Sequence, residues 1–173
     1  LLVEESIHDQ VVTELSQRFS GVRVGAGIDD PEMGPLISDF QRRFVEDYIG
    51  VGKKEGAELV AGGDRPSDPE IPSGGFYLRP TILDGVTPSS RVFQEEIFGP
   101  VLTVFKAADL EEAIEISNNV KFGLSSSVYT KDLTRAFQYI NTVDAGMVHV
   151  NAPTLGGEVH LPFGGLKSSG VGQ

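Results

Sequence analysis

Gln94-Glu95-Glu96 followed by Ile97-Phe98-Gly99-Pro100 sets two carboxylates beside an aromatic ring and a forced turn. Pro100 biases Gly99 away from helix, and an apolar run from Val101 to Phe105 starts at once. A carboxylate held at the entrance of a strand can accept two hydrogen bonds from the vicinal hydroxyls of a ribose, and a neighbouring ring can pack on a planar heterocycle. The same residues also read as a surface carboxylate pair beside a core phenylalanine. The second stretch of interest is Asn151 to Gln173, which carries six Gly and two Pro in 23 residues. Within it, Gly164 and Gly165 follow Phe163 and permit a backbone approach that any Cβ would obstruct.

Other chemistries are excluded by composition. The chain of 173 residues has no Cys, which removes disulfides, thiolate metal sites and cysteine nucleophiles together. His8, His149 and His160 are far apart and lack ligand-like spacing, so no metal site is expected. A formal net charge of -11 argues against nucleic acid or an anionic membrane as partner. No apolar run reaches the roughly 18 residues that a membrane span needs. Gly50-Val51-Gly52-Lys53-Lys54 lacks the Ser or Thr of a nucleotide-phosphate loop, and Asp29-Asp30-Pro31-Glu32 is too short for a calcium loop.

The elements that must position these residues read as α/β. Leu1 to Val3 is a strand, and Ile7, Val11, Val12, Leu15 and Phe19 give a helix one apolar face, with Ser6 as its N-cap. Ser38-Asp39-Phe40-Gln41 fits a capping box before a helix striped by Phe40, Phe44, Val45, Tyr48 and Ile49. Gly62 to Gly75 is an exposed excursion, and Phe76 to Leu83 is extended. Val101–Phe105, Ser125–Tyr129 and Met147–Val150 read as strands. The helices between them are opened by Asp109, and by Asp132 with Leu133, Ala136, Phe137 and Ile140. That order predicts two consecutive βαβ units and an open, mainly parallel twisted sheet with helices on both faces, in one domain over residues 1–173. A loop leaving the carboxyl end of a parallel strand is where open α/β sheets place binding sites, which puts Asn151 and its successors there.

Two segments carry a resemblance. Glu95-Glu96-Ile97-Phe98-Gly99-Pro100 and Leu161-Pro162-Phe163-Gly164-Gly165-Leu166-Lys167-Ser168-Ser169-Gly170 are similar to signature segments of NAD(P)-dependent aldehyde dehydrogenases, and the chain resembles the C-terminal catalytic-domain portion of that family. Met33-Gly34-Pro35-Leu36-Ile37-Ser38, Arg79-Pro80-Thr81, Gly123 to Thr130 and Ala145 to Asn151 match it in order. The resemblance implies that Glu96 binds the nicotinamide ribose, that Phe98 lies against the nicotinamide, and that Glu95 is a structural partner. It makes Phe163 the substrate contact, lining the tunnel to the nucleophile, with a core plug as the alternative. Glu158 and His160 fall on the rim of that tunnel and suggest a polar semialdehyde, or decorate the rim only. His149, in mid-strand, reads as a hydrogen-bonded interior or face residue and not as a base.

The family implies oxidation of a small aldehyde to a carboxylic acid with NAD or NADP, through a cysteine thiohemiacetal and thioester. It also implies a cytoplasmic enzyme and a homodimeric or homotetrameric parent. This chain offers no catalytic residue of its own to that scheme. The coenzyme domain, the nucleophile segment and the C-terminal oligomerisation strand have no counterpart in it, so it is expected to be an inactive fragment when alone. Two alternatives stay open: a reductase of acyl phosphates or acyl-CoA esters on the same fold, and a noncatalytic relative acting as an interaction module.

Overall fold

The computed structural model describes residues 1–69, 71–156 and 160–170, in two compact units, Leu1–Lys106 and Ala107–Gln173. The first unit contains β1 (Leu2–Glu4), α1 (His8–Ser20), α2 (Asp39–Lys54), β2 (Glu58–Ala61), β3 (Thr81–Asp84), α3 (Arg91–Gln94), β4 (Val101–Thr103) and β5 (Phe105–Ala107), the last ending on the first residue of the second unit. β3 is its centre, antiparallel to β2 and parallel to β4.

Alternation along β3 sends neighbouring side chains to opposite faces, and each face meets one helix. Ile82 packs with Val3, Ala61 and Val104 under Val11, Val12, Leu15 and Phe19 of α1. Leu83 packs with Val45, Tyr48 and Ile49 of α2, together with Leu78, Val92, Ile97 and Phe105. Helices thus flank both faces of this α/β sheet. Gly52 of α2 makes the fit possible, because a Cβ there would lie 2.7 Å from Leu83 Cδ1.

Local signals are realised unevenly. The Ser38 side chain caps α2 by accepting from Gln41 N–H at 3.1 Å. Ser6 does not cap α1: a 3₁₀ turn over Glu5–Ile7 intervenes, and the Ser6 hydroxyl donates to Glu4 instead. That turn also leaves Ile7 exposed at 51% instead of on the apolar face, while the buried His8 ring reaches Asp9 and Asp84, each at 2.9 Å. Phe40, expected in the α2 stripe, sits one turn before the buried stretch and is 77% exposed, stacked on Phe44.

The expected strand Val101–Phe105 is two strands. It breaks at Val104, whose N–H donates to Leu83 O at 2.8 Å, and the next residue turns to β1 through Phe105 N–H to Leu1 O at 2.9 Å. Its pairing partners are therefore β3 and β1. An apolar run carries no label for its partner, and here the β3 edge and β1 take it up.

The second unit contains α4 (Leu110–Asn118), β6 (Phe122–Gly123), β7 (Ser125–Val128), α5 (Leu133–Thr142), β8 (Met147–Val150) and β9 (Leu166–Lys167). Asp109 caps α4 and Asp132 caps α5 through their carboxylates. β7 and β8 are parallel, in register from Ser125↔Met147 to Val128↔Val150, so the second βαβ unit stands as expected. α5 buries Ala136 and Tyr139, whereas Leu133, Phe137 and Ile140 are exposed. Among the described residues no helix is long and apolar enough to cross a membrane.

Candidate functional site

The segment after α3 is extended, Glu95 having φ -118° and ψ 146°, so consecutive side chains take opposite directions. Ile97 is buried at 9% in the α2-facing core. Glu95 is tied down. Its carboxylate accepts from the Tyr48 hydroxyl and from Arg91, at 3.1 Å from Nε and 2.8 Å from Nη2. Arg91 also lies over the Tyr48 ring, 5.2 Å from its centroid. The hydrogen bond to Glu95 pushes the Tyr48 phenol up from its ordinary value, and the same carboxylate raises the Arg91 guanidinium. Glu95 is thus a structural partner. Glu96, next to it, is exposed and makes no hydrogen bond or ion pair among the described residues.

Phe98 is 77% exposed and has φ 50°, the left-handed region. The core-phenylalanine reading of this residue therefore fails within its unit. A bulky residue in that conformation costs about 1–3 kcal/mol and persists only where neighbours enforce it. Three contacts do so. Gly99 rests on α2, where a Cβ would fall 2.4 Å from Val45 Cγ2. Pro100 O accepts from Thr81 N–H at 2.8 Å, at the head of β3. Gln41, in the first turn of α2, donates from Nε2 to Ile97 O at 3.2 Å and to Phe98 O at 2.9 Å. Beside this turn lies a cleft of about 500 Å³ with Met33, Leu36, Leu78, Phe98 and Pro100 among its walls.

Gln41 escaped the sequence reading in this role. It was expected as the reciprocal member of the Ser38 capping box, and its backbone does meet Ser38, yet its side chain serves the Ile97–Phe98 carbonyls. Glutamine at the third position of a helix is the ordinary capping signal, so nothing local distinguishes the two uses.

The second candidate belongs to the second unit. β9 pairs antiparallel with β6, fixing Phe122↔Lys167 and Gly123↔Leu166. Ser168 N–H donates to Lys121 O at 2.8 Å, and Gly123 N–H donates to Ser169 Oγ at 3.0 Å. Lys167, with φ 54°, donates from Nζ to Asn118 O at 2.6 Å and lies 3.4 Å from Asp144. Gly164 and Gly165 are buried against Gly146, where a Cβ would lie 2.0 Å from Gly164 O. Phe163 itself is 68% exposed, which overturns the core-plug alternative within this unit.

Asn151 has φ 54° and ties the ends of β7 and β8: its Oδ1 accepts from Thr130 N–H and its Nδ2 donates to Thr130 O, both at 2.9 Å. The Nε2 of His149 is buried without a hydrogen-bond partner among the described residues, contrary to the expected bonded state. His160 is exposed, and Glu158 lies outside the described residues. Among the described residues no group of three or more His, Asp or Glu is placed to hold a metal.

The structure therefore brings Glu96 and Phe98 together on one anchored turn, and holds Phe163 on a pinned loop of its own unit. Known proteins resemble this chain in sequence and in fold. A betaine aldehyde dehydrogenase of Mesorhizobium japonicum is 42% identical over 174 residues, covering 100% of this chain and 35% of that protein. An alpha-ketoglutarate semialdehyde dehydrogenase of Haloferax volcanii is 42% identical over 168 residues, covering 97% and 34%. The crystal structure of betaine aldehyde dehydrogenase from Staphylococcus aureus in complex with NAD+ superposes with a TM-score of 0.94 at 37% identity, over 98% of this chain and 34% of that one. The chain thus spans about a third of the length of these relatives. The model of the aldehyde dehydrogenase family matches residues 1–173 throughout, and the chain belongs to that family.

Proposed function

We propose that the chain is most of the catalytic domain, from the C-terminal portion, of an NAD(P)-dependent aldehyde dehydrogenase that oxidises a small aldehyde to its carboxylic acid. The observation that carries this reading is the division of labour between two adjacent carboxylates. Glu95 is held by Tyr48 and Arg91, whereas Glu96, two residues before the exposed ring of Phe98, is exposed and has no hydrogen bond or ion pair among the described residues. An unpaired carboxylate next to an open aromatic face fits a ribose diol and the planar ring attached to it. NAD(P)+, when bound, supplies the oxidant. Glu96 would accept two hydrogen bonds from the ribose hydroxyls, each worth about 1.5–3 kcal/mol because the acceptor is charged. Phe98 would limit the tilt of the ring, and its buried neighbour Ile97, with Gly99 seated against Val45, keeps that limit fixed.

Phe163 is the substrate contact in this reading, because its ring is exposed while the flanking glycines are clamped. The chain contains no cysteine, so the thiolate that forms the thiohemiacetal and thioester comes from outside it. Relatives named for betaine aldehyde and for a semialdehyde support a small polar aldehyde, and their being dehydrogenases favours oxidation over reduction of acyl phosphates or acyl-CoA esters. A cytoplasmic homodimer or homotetramer completes the proposal.

Replacing Glu96 by Gln in the full-length protein tests it. Hydrogen bonds to a neutral amide are weaker than to a carboxylate by about half, so coenzyme KM rises, or hydride transfer slows, by roughly tenfold or more. Unchanged coenzyme KM together with unchanged kcat would remove Glu96 from the site.

A further inference from the structure

We propose that Gln41 is a positioning residue for the coenzyme-facing turn. Its carboxamide holds the Ile97 and Phe98 carbonyls together, and through them sets the direction of the Glu96 carboxylate and the Phe98 ring. The proposal rests on the reading of Glu96 and Phe98 just given.

The geometry is specific. In an extended chain successive carbonyls point to opposite sides. Here the carbonyls of two successive residues both accept from one nitrogen, at 3.2 and 2.9 Å, and the left-handed Phe98 is the residue that turns them to the same side. Both partners are acceptors, so the amide must present its NH2 and not its oxygen to them, and both of its N–H groups are used. The donor is also well founded. Gln41 lies in the first turn of α2, a helix capped by Ser38 and anchored in the core by Val45, Tyr48 and Ile49.

The same helix therefore grips the segment on both sides of Glu96. Tyr48 holds Glu95 before it, and Gln41 holds Ile97 and Phe98 after it. Glu96 is left as the one carboxylate of the pair that points away from the helix holding it. Gln41 thus controls a residue it does not touch, which separates its role from direct binding of a ligand.

The test uses the full-length protein, with NAD+ and its aldehyde, and reads coenzyme KM, aldehyde KM and the pre-steady-state rate of hydride transfer. Gln41→Glu replaces the two donors by a carboxylate facing two carbonyls, and should lower kcat/KM for coenzyme by about ten- to a hundredfold. Aldehyde KM should stay within about twofold. Gln41→Lys, whose ammonium can donate to both carbonyls, should recover most of the loss. In a Phe98→Ala background, where the turn no longer carries a ring to aim, Gln41→Glu should cost less than in the wild type. Equal losses in the two backgrounds would overturn the proposal, because Gln41 would then act by another route. So would a Gln41→Glu enzyme with wild-type coenzyme parameters. Should Gln41→Glu fail to fold, Gln41→Met removes the donors without adding charge and is held to the same outcomes. Failure of the functional reading itself shows separately, as a Glu96→Gln enzyme with unaltered coenzyme parameters.

Discussion

Replacing Gly146 by Ala joins the fold to the substrate side of the proposed chemistry. Gly146 does not have a positive φ, so alanine meets no backbone penalty there and the effect is purely steric. The added Cβ would lie 2.0 Å from Gly164 O, 2.8 Å from Gly164 C and 2.9 Å from Gly165 Cα, against the 3.4 Å at which ordinary contact begins. Backbone atoms must therefore separate by more than 1 Å. Strand β8 cannot give, because it is in register with β7 from Met147 to Val150. The loop gives instead, between its pins at Leu166–Lys167 and the exposed Phe163. Overpacking of this kind costs about 1–3 kcal/mol. A displacement near 1 Å at Gly164 is passed directly to Phe163, and misplacements of that size can cost about a hundredfold in rate. The expected outcome for the full-length protein is a shift of about ten- to a hundredfold in relative kcat/KM between aldehydes of different bulk, with coenzyme KM unchanged. In the 173-residue chain, denaturant unfolding should report the same loss of about 1–3 kcal/mol. A Gly146→Ala protein with wild-type aldehyde preference and wild-type stability would refute the reasoning.

Phe163→Ala in the full-length protein should change aldehyde preference by at most about ten- to two-hundredfold, the range available to differences in one apolar pocket, while leaving stability almost unchanged because the ring is exposed. The 173-residue chain alone should produce no NADH from any aldehyde, since it has no cysteine, and NAD titrated to several millimolar should show no saturable site. Two charge-assisted bonds and one ring contact do not outweigh the roughly 4–15 kcal/mol cost of immobilising a ligand, so a micromolar dissociation constant would contradict this. Hydrogen bonds from Arg42 and Arg65 hold the Asp39 and Glu46 carboxyls below their ordinary values of 3.8 and 4.5, respectively. Groups with lowered folded values contribute stability that is complete above those ordinary values and is lost as pH falls through the lowered ones. Urea midpoints should therefore drop below about pH 4.5, and Asp39→Asn with Glu46→Gln should flatten that slope; an unchanged slope would discount the cluster.

What the sequence made legible was local. Ser38, Asp109 and Asp132 announced three helix starts because a cap is written within four residues of the helix it opens. The helical apolar pattern of α2 placed Val45, Tyr48 and Ile49 in the core. Pairing was less legible. The run from Val101 to Phe105 is apolar throughout, and nothing in it tells β3 and β1 apart from a later strand as partners. The left-handed turn at Phe98 was hidden for a different reason, since Gly99 beside it looked like the residue that would bend. The separate roles of Glu95 and Glu96 were implied by the family resemblance alone, while the cause of the first, the hydrogen bond from Tyr48, comes from 47 residues earlier, and no short motif spans that distance.

The break at Val104 has a consequence for how the molecule opens. Between Val101 and Ala107 the chain serves β3 on one side and β1 on the other, and the residue between the two strands is fully enclosed with Val3, Ala61 and Ile82. Neither pairing can fray without uncovering Val104, so the two should exchange their amide hydrogens as one cooperative block, and β1 should not behave as a loose end. The turn carrying Glu96 and Phe98 feeds straight into that block at Pro100, whose carbonyl is already claimed by Thr81. Slow exchange would then extend right up to the exposed carboxylate and ring. The two side chains offered to a ligand would be free to turn about their own bonds, while the backbone beneath them belongs to the last part of the unit to unfold.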